Sequence, residues 1–340
     1  NTLASQSLGG TRYLPYVSQS VEKRYELNGT LITTQTKSNV LDSYGNPTSV
    51  TATTTDGTNT WTTLTTNTYV NDATNWVLGK LTRATVKNTL PGGANATRVT
   101  SFAYDANGLL TQEVIEPDIA DKKLITDYTY DALGNKLTAT VSGSGITTRT
   151  TSTGWSTDGR FPLTTTNALS QVETRTYNSN FGTLASVKDA NDLTVSYLYD
   201  TFGRRTRETR PDSTQTNISY TACGTCPTYG SYYITTTATG QPTQKAYFDK
   251  LQRLIRSEVQ GFAGTAVYTD TQYNALGQPW KVSLPYYSGG TVYWTTSVYD
   301  ALGRITSATA PDGGVTSTAY NGLTTTVTNA KSQVMTRVVD

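Results

Sequence analysis

The residues of this chain that could do chemistry are a series of spaced carboxylates and one pair of cysteines. The carboxylates that stand out are Asp105, Asp131, Asp200, Asp249 and Asp300. Two carboxyl groups about 5 Å or about 6.5–9.5 Å apart would suit acid–base hydrolysis of a polysaccharide. The sequence contains no histidine, which excludes a Ser-His-Asp triad, a Cys-His dyad, a histidine-bearing zinc site and a histidine pH switch. Because the chain has only two cysteines, it also cannot build a four-thiolate metal site by itself.

Each carboxylate has a structural task that competes with catalysis. An Asp at the first position of a turn accepts a hydrogen bond from the backbone two residues on, and a Gly at the fourth position adopts the left-handed conformation. Asn178 and Asn274 stand at the same place in sister copies, where an amide forms these backbone bonds but supplies no carboxylate. The segment 189–192 resembles a calcium loop but lacks the ligand spacing and the closing Glu. We therefore interpret the carboxylates as turn residues and expect no catalytic, cofactor-binding or metal-binding residue.

The acid belongs to a five-residue unit that recurs along the chain: an aromatic or apolar residue, Asp or Asn, two further residues, and Gly. Successive units begin at 104, 130, 155, 177, 199, 220, 248, 273 and 299, in steps of 26, 25, 22, 22, 21, 28, 25 and 26 residues. Looser copies begin at 155 and 220, the copy at 177 has its Gly one place late, and the copy at 248 lacks the Gly. The predicted structural turn residues are Tyr104, Asp105, Gly108, Tyr130, Asp131, Gly134, Tyr199, Asp200, Gly203, Tyr273, Asn274, Gly277, Tyr299, Asp300 and Gly303.

Composition and turn spacing together predict an all-β fold. The chain holds 70 Thr and 23 Tyr but only 6 Phe, and Thr and Tyr favour strands. Each unit reads as two antiparallel strands of about six to nine residues joined by a type I turn with a G1 bulge, so the whole chain predicts a meander of about 24 strands. Sheets of this size curl, which predicts a ribbon that winds into a spiral or hollow shell with a wet face. The apolar residue before the Gly (Leu133, Phe202, Leu276, Leu302) is expected to tuck onto the sheet and fix the register.

This Tyr-Asp-x-x-Gly ladder resembles the YD-repeat, or RHS-repeat, family, which includes polymorphic toxins, the B and C components of insecticidal toxin complexes, wall-associated bacterial proteins and teneurins. The resemblance is good over residues 104–340 and looser over 40–100. It implies a long β-ribbon spiralling into a hollow shell, which in the toxins encloses a C-terminal effector released by an aspartyl-protease core. This sequence has no Asp-Pro-x-Gly-Leu core motif, so the protease activity and the toxicity are not carried over. We expect a β-rich lead-in over 1–100 and a repeat array over 101–340 that stops in the middle of a repeat.

Two further features leave alternatives open. Cys223 and Cys226 form a Cys-x-x-Cys within a turn copy, which indicates either a local disulfide or a pair of free buried thiols, with a catalytic pair least favoured. Tyr286, Tyr287, Tyr293 and Trp294 flank a Gly-Gly pair in one predicted hairpin and could form a glycan platform. A second aromatic cluster lies at 229–233. Cross-strand aromatic pairs are also ordinary sheet stabilisers, and this interpretation is favoured for both clusters.

The function that these observations favour is structural: a non-catalytic stretch of repeat shell that encloses a toxin or other polypeptide cargo in a larger secreted bacterial protein. The alternative is an extracellular adhesin, glycan-binding protein or polymerising wall element made from the same ribbon. Expected partners are the cargo, further repeats of the same chain, a second copy, or a glycan. A net charge of +2 without basic runs argues against nucleic acid, and no apolar stretch is long enough to span a membrane. The start at Asn1 without a signal-peptide pattern suggests a processed product or an excerpt.

Overall fold

The computed structural model describes residues 1–7 and 13–338, which fall into two compact units, Asn1–Thr174 and Arg175–Asp340. The described residues form 28 β-strands and one short 3-10 helix, Phe262–Gly264, with no α-helix among them. The prediction of an all-β antiparallel meander is therefore confirmed. Its physical basis is the alternation of β-branched and aromatic residues with tight turns.

The first unit is a simple meander in which each strand pairs antiparallel with the next strand along the chain. Its strands are β1 (Thr2–Ser7), β2 (Tyr13–Tyr25), β3 (Leu31–Leu41), β4 (Pro47–Thr55), β5 (Thr60–Asp72), β6 (Val77–Thr89), β7 (Asn95–Tyr104), β8 (Leu110–Ile115), β9 (Leu124–Tyr130), β10 (Lys136–Gly143), β11 (Ile146–Trp155) and β12 (Pro162–Thr166), with β13 (Val172–Tyr177) running past the unit boundary.

The second unit continues the pattern over β14 (Leu184–Lys188), β15 (Thr194–Tyr199), β16 (Arg205–Thr209), β17 (Gln215–Ala222), β18 (Tyr232–Ala238), β19 (Gln244–Phe248), β20 (Leu254–Gln260), β21 (Ala266–Tyr273), β22 (Pro279–Ser283), β23 (Tyr286–Tyr287), β24 (Trp294–Tyr299), β25 (Ile305–Thr309), β26 (Val315–Asn321), β27 (Thr324–Thr328) and β28 (Val334–Val338). The meander is interrupted once, because β22 pairs with β24 while β23 returns to pair with β21.

Strand lengths depart from the expected six to nine residues. In the first unit β2, β5 and β6 reach 13 residues, whereas β14, β16 and β19 of the second unit have five. The long strands lie where successive corners are far apart in sequence, since a wider spacing between turns leaves more residues for the strands. The spacing between turns therefore limits the local width of the sheet, although in the repeats that begin at 220 and 273 the additional residues lie in the loop at 223–231 and in the segment at 284–293 that contains β23.

The sheet has almost no dry core. Among the described residues Val114 is the one hydrophobic side chain that is buried, and the buried polar residues are Glu26, Asp249 and Ser283. The chain exposes 21374 Å², whereas a compact monomer of 36.8 kDa exposes roughly 13,500 Å². The units must therefore draw much of their stability from backbone ladders and from polar contacts at the turns.

Candidate functional site: the repeat corners and an adjacent cavity

The recurring unit forms a tight corner between two strands, as the corner at Tyr299 shows. The carboxylate Oδ1 of Asp300 accepts hydrogen bonds from the backbone N–H groups of Leu302 and Arg304, both at 2.9 Å. The N–H of Gly303 donates to the carbonyl of Asp300 at 3.0 Å, and Gly303 has φ +81°. A register shift follows, with Tyr299 opposite Ile305 and Val298 opposite Ser307. This is the geometry of a type I turn with a G1 bulge.

The other four complete units have the same geometry. The structure places all fifteen of the predicted turn residues at five such corners: Tyr104, Asp105 and Gly108; Tyr130, Asp131 and Gly134; Tyr199, Asp200 and Gly203; Tyr273, Asn274 and Gly277; Tyr299, Asp300 and Gly303. Their glycines have φ between +76° and +83°. Left-handed backbone costs a residue with a Cβ about 1–2 kcal/mol, which explains the glycine.

The degenerate copies behave in two ways. At 248–253 the corner forms without glycine, because Gln252 adopts φ +62° in its place. The copy that starts at Tyr220 does not form a corner at Gly224: strand β17 runs on to Ala222, and a loop closed by a disulfide follows. The expectation of a turn copy at this point is therefore wrong, because the Cys-x-x-Cys insertion replaces the tight turn.

Successive repeats are joined by a contact that sequence reasoning missed. The corner tyrosine of one repeat donates its hydroxyl to the backbone carbonyl two residues after the corner glycine, or its equivalent, in the preceding repeat. For Tyr130 the acceptor is the carbonyl of Leu110 at 2.7 Å, just before the bulge residue Thr111. Further bonds of this kind are Tyr69–Pro47, Tyr104–Leu81, Tyr199–Leu184, Tyr273–Leu254, Tyr299–Pro279 and Tyr320–Ile305, at 2.6–3.1 Å.

The same contact accounts for the preference for tyrosine over phenylalanine at the corners, to which Phe248, the first residue of the corner without glycine, is an exception. Trp155 replaces the tyrosine in one repeat, and its indole N–H donates to the carbonyl of Lys136 at 3.0 Å. A phenylalanine would fill the same space but donate nothing. The sequence contains 23 Tyr and 6 Phe, and this excess of tyrosine indicates that these positions require a hydrogen-bond donor as well as an aromatic ring.

A second link between repeats runs through the residue after the glycine. Arg304 donates Nε to Asp300 Oδ2 at 2.7 Å, and its guanidinium lies 4.2 Å from the ring centroid of Tyr320 in the next repeat. Arg204 and Arg253 form the equivalent ion pairs with Asp200 and Asp249, and their guanidinium groups lie 4.2 and 4.6 Å from the ring centroids of Tyr220 and Tyr273, the first residues of the following copies. Each arginine thus connects its own corner to the following repeat.

The corner residue and its partner four positions on have complementary chemistry. Asp131 accepts a hydrogen bond from the side-chain amide of Asn135, whereas Asn274 donates its own side-chain N–H to Oε1 of Gln278 at 2.7 Å. The Asn–Gln pairing recurs between 167 and 171 and between 329 and 333. The interchange of Asp and Asn between copies therefore changes the partner and preserves the bond.

Four of the corner carboxylates are held in their ionised form. Desolvation favours protonation of Asp300, but hydrogen bonds from the backbone and side chain of Arg304 outweigh it and lower the pKa of Asp300 below its ordinary value. The same balance, with partial burial opposed by bonds from the residue four positions on, lowers the pKa of Asp131, Asp200 and Asp249. Carboxylates with both oxygens engaged and lowered pKa values are structural anions and are poorly suited to donate a proton at neutral pH.

The apolar residue before the corner glycine does not tuck onto the sheet. Leu133, Phe202, Leu276 and Leu302 have 58–82% of their surface exposed, so this expectation is wrong. The residue lies at the tip of the turn, beyond the last cross-strand pair, and has no sheet surface beneath it. Leu133 lies instead over the next corner, where a side chain added at Gly159 would overlap it.

The cysteines close a loop between β17 and β18. Cys223 and Cys226 form a disulfide, and the N–H of Cys223 donates to the carbonyl of Ser231 at 2.9 Å. Gly230 packs against the bridge so tightly that a Cβ there would lie 2.7 Å from Cys226 Cβ. The loop is thus fixed at its base by a covalent bond and by the strand pair Ala222–Tyr232.

The aromatic residues predicted to form a glycan platform do not share one hairpin. Tyr286 and Tyr287 form β23 and pair with β21, whereas Trp294 pairs with Ser283 of β22. Tyr287 and Tyr293 are exposed at 59% and 56%. The Gly-Gly segment is an excursion from the β22–β24 hairpin, which is why adjacency in sequence misled the prediction. Tyr232 and Tyr233 are likewise divided, since they stack on Phe248 and Tyr247 on opposite faces of the sheet.

Tyr286 belongs to a polar network that crosses β19 to β23. Arg256 forms a bidentate ion pair with Asp270 at 2.5 and 2.7 Å, and the hydroxyl of Tyr286 donates to Asp270 at 2.6 Å. Beside it Glu258 accepts from Lys245 at 2.9 Å and from Tyr247 at 2.6 Å. Desolvation and the bond to Asp270 raise the pKa of Tyr286 to about 12. Desolvation and the bond to Glu258 also raise the pKa of Tyr247.

A cavity of about 840 Å³ opens beside this network in the second unit. Its walls come from the disulfide loop (226–229), the corner pair Asp249–Arg253, the pair Arg256–Asp270, and the side chains of Tyr273, Trp280 and Trp294. A cavity of this volume is typical of small-molecule sites. No cluster of three or more potential metal-ligating residues occurs among residues 1–7 and 13–338. Across the same residues, no helix is both long and apolar enough to cross a membrane.

Comparison with known proteins supports the fold and the repeat. Residues 180–215 match the family described as RHS Repeat. The crystal structure of TcdB2-TccC3 superposes with a TM-score of 0.71 at 13% identity, covering 94% of this chain and 24% of that chain. The crystal structure of TcdB2-TccC3 without hypervariable C-terminal region gives a TM-score of 0.72 at 11% identity, covering 99% of this chain and 28% of that chain.

These similarities confirm the resemblance to YD-repeat, or RHS-repeat, proteins. The chain spans about a quarter of the length of the solved chains that it matches. No curated protein is significantly similar to it in sequence. At identities of 11–13% the structural likeness establishes the fold alone.

Proposed function

We propose that this array of RHS repeats is a non-catalytic segment of a shell wall that encloses a polypeptide cargo within a larger secreted protein. The structures with the same fold are three to four times longer, which provides the length of ribbon that a closed chamber requires. The partners of the segment are then the enclosed polypeptide and further repeats that extend the wall.

The observation that carries this proposal is a regular sheet that is stabilised without a core. Only Val114 is a buried hydrophobic residue among those described, yet the strands are joined by ladders, tyrosine–carbonyl bonds and arginine–tyrosine contacts. A sheet of this construction can stay ordered while it borders open space. An enzyme domain of the same mass would instead use its interior for packing.

The mechanism of such a wall is steric. Antiparallel pairing along each unit leaves few unpaired strand edges, so a protease finds little extended backbone to bind. The abundant Thr and Tyr present hydroxyl groups beside small apolar surfaces, and a surface that is interspersed with hydroxyl groups in this way holds an unfolded polypeptide less strongly by adhesion. Because the corner carboxylates are committed to turns, the segment contributes protection rather than chemistry.

The test uses the intact natural protein that contains this segment. The protein is treated with proteinase K over a time course, with and without a denaturing concentration of urea, and resistant fragments are identified by mass spectrometry. Enclosure predicts that one internal polypeptide survives in native buffer and is lost in urea together with the repeats. Degradation of every non-repeat segment in native buffer, while the repeats stay intact, would refute enclosure.

Electron microscopy of negatively stained particles separates enclosure from the alternative function. Closed hollow particles support a shell. Fibres or flat sheets favour a surface protein, either an adhesin or a polymerising wall element, that uses the same ribbon outside the cell. The aromatic cavity is the feature that favours an external binding role.

A further inference from the structure

We infer that the cavity lined by Trp280, Trp294 and the disulfide loop is a binding site for a neutral carbohydrate. The inference is independent of the shell, because a wall segment requires no cavity. It also differs from the platform suggested by the sequence, since only Trp294 is common to both.

The ring walls are the first argument. Trp280 is the residue that the bulge of the Tyr273 corner leaves without a cross-strand partner, since Tyr273 pairs with Pro279 and Gln272 with Lys281. The bulge positions of sister corners hold smaller residues, such as Thr111 and Thr306. Bulges re-aim side chains, and here the bulge carries an indole that lines the cavity. The apolar C–H faces of sugar rings pack on aromatic rings of this kind.

The unused donors are the second argument. In the part of the chain that the structure describes, the indole N–H groups of Trp280 and Trp294 have no hydrogen-bond partner, and neither has the side-chain amide of Gln272. The contrast is Trp155, whose indole N–H is bonded to a backbone carbonyl. Three polar groups that border one cavity and remain without partners suit the hydroxyl groups of a sugar.

The charge balance sets the class of sugar. The cavity is bordered by two carboxylates, Asp249 and Asp270, and by two guanidinium groups, Arg253 and Arg256. Each acid is bound to one base at 2.5–2.7 Å, so the walls carry no net charge. An anionic or cationic ligand would have to break one of these ion pairs to obtain a counter-charge from the lining residues; the ammonium of Lys281 is not among them and lies over the ring of Trp280. A neutral ligand can still accept bonds from the outer edges of the guanidinium groups.

Preorganisation is the last argument. The ammonium of Lys281 lies 4.3 Å from the ring centroid of Trp280, and Trp294 is held opposite Ser283 in the β22–β24 ladder. On the opposite side the disulfide restricts the loop that contributes Cys226 to Tyr229. Walls that are fixed before binding lose little conformational entropy when a ligand enters.

The test measures binding of cellohexaose, chitohexaose, maltohexaose and sialyllactose to the 340-residue chain by tryptophan fluorescence and isothermal titration calorimetry. We expect at least one neutral oligosaccharide to bind, with an affinity that does not change with salt and with no preference for the sialylated sugar. Trp280→Ala and Trp294→Ala should each weaken binding roughly tenfold, which corresponds to the loss of one aromatic contact.

Two control variants keep this test specific. Trp76→Ala removes an indole that is 78% exposed in the first unit, and Tyr287→Ala removes a ring of the sequence-predicted platform that lies outside the cavity. Both should bind sugar like the parent chain, and circular dichroism verifies that every variant is folded. The inference is overturned if none of the neutral sugars binds at low-millimolar concentration, if binding survives both cavity substitutions, or if only sialyllactose binds.

Discussion

Removing single hydroxyl groups from corner tyrosines isolates the contact that joins one repeat to the next. Tyr199→Phe, Tyr273→Phe and Tyr299→Phe keep the ring and its contacts and delete only the O–H group. Each of these hydroxyl groups donates to a carbonyl of the preceding repeat at 2.6–2.8 Å. The substitutions therefore leave a backbone acceptor without its partner and create no cavity.

The expected cost follows from the bond that is lost. A hydrogen bond between neutral groups contributes about 1 kcal/mol to the free energy of unfolding; the bond of Tyr199 is partly buried and those of Tyr273 and Tyr299 are more exposed. The three corners are separated by at least two strands, or about 10 Å, so their effects should add. The triple variant should lose about 3 kcal/mol. With an m value of about 3 kcal/mol per molar urea, its midpoint should fall by about 1 M.

The assay is urea unfolding of the full chain, followed by far-ultraviolet circular dichroism. A matched triple control is Tyr229→Phe, Tyr287→Phe and Tyr293→Phe, because these three rings are exposed and their hydroxyl groups have no hydrogen-bond partner among the described residues. The control should shift the midpoint by much less, as substitutions at exposed sites usually do. If both triple variants unfold at the same urea concentration, the tyrosine–carbonyl bonds do not stabilise the array, and they cannot be what replaces a hydrophobic core in this sheet.

Three further outcomes are expected from single features. Gly134→Ala should destabilise the chain by about 1–2 kcal/mol in the same urea assay, because Gly134 has φ +83° and no other atom obstructs an added Cβ. Ser213→Gly should stabilise the chain by up to about 1 kcal/mol, because Ser213 has φ +67°, where glycine is favoured. Because the chain has no histidine, its thermal unfolding midpoint should be constant from about pH 5 to pH 9. The midpoint should fall at more acidic and at more alkaline pH. The pKa of Asp300 is lower in the folded chain than the unfolded value of about 3.9, so its ionised form stabilises the fold above that pH and this stabilisation is lost as the pH falls. The pKa of Tyr286 is raised to about 12 from about 10, so its neutral form stabilises the fold below about pH 10 and this stabilisation is lost as the pH rises toward 12. Cys223→Ser with Cys226→Ser should loosen the loop at 226–229 and increase its amide hydrogen exchange, without a change in the exchange of the corners at 273 and 299.

The corners could be predicted from the sequence because their determinants are local. Asp300 and Gly303 are three residues apart, and both the side-chain bond and the left-handed backbone are formed inside that segment. The strand order is determined locally as well, because two strands joined by a tight turn pair with each other. The fold class therefore followed from the repeat.

The contacts between repeats were not predictable from one unit. The bond from Tyr130 to the carbonyl of Leu110 joins residues 20 positions apart and depends on the bulge that shifts the register. The expectation that Tyr286, Tyr287, Tyr293 and Trp294 share one hairpin is wrong for a related reason, because β23 pairs with β21. The cavity depends on a disulfide loop and on a bulge in another repeat, and no local pattern connects Tyr229 with Trp280.

The chemistry of the corner explains how a sheet can be ordered without a hydrophobic core. A hydrophobic core stabilises a sheet by excluding water from at least one of its faces, so a sheet that relies on a core must keep that face covered. Here the stabilising groups lie at the turns: Asp300 binds Arg304, Arg304 covers the ring of Tyr320, and Tyr320 donates to the carbonyl of Ile305. Because these bonds join each corner to its neighbour, the free energy of the array grows with the number of repeats rather than with the depth of the interior. A sheet built in this way can be lengthened by adding repeats without acquiring an interior to fill, and the proposed shell requires this property.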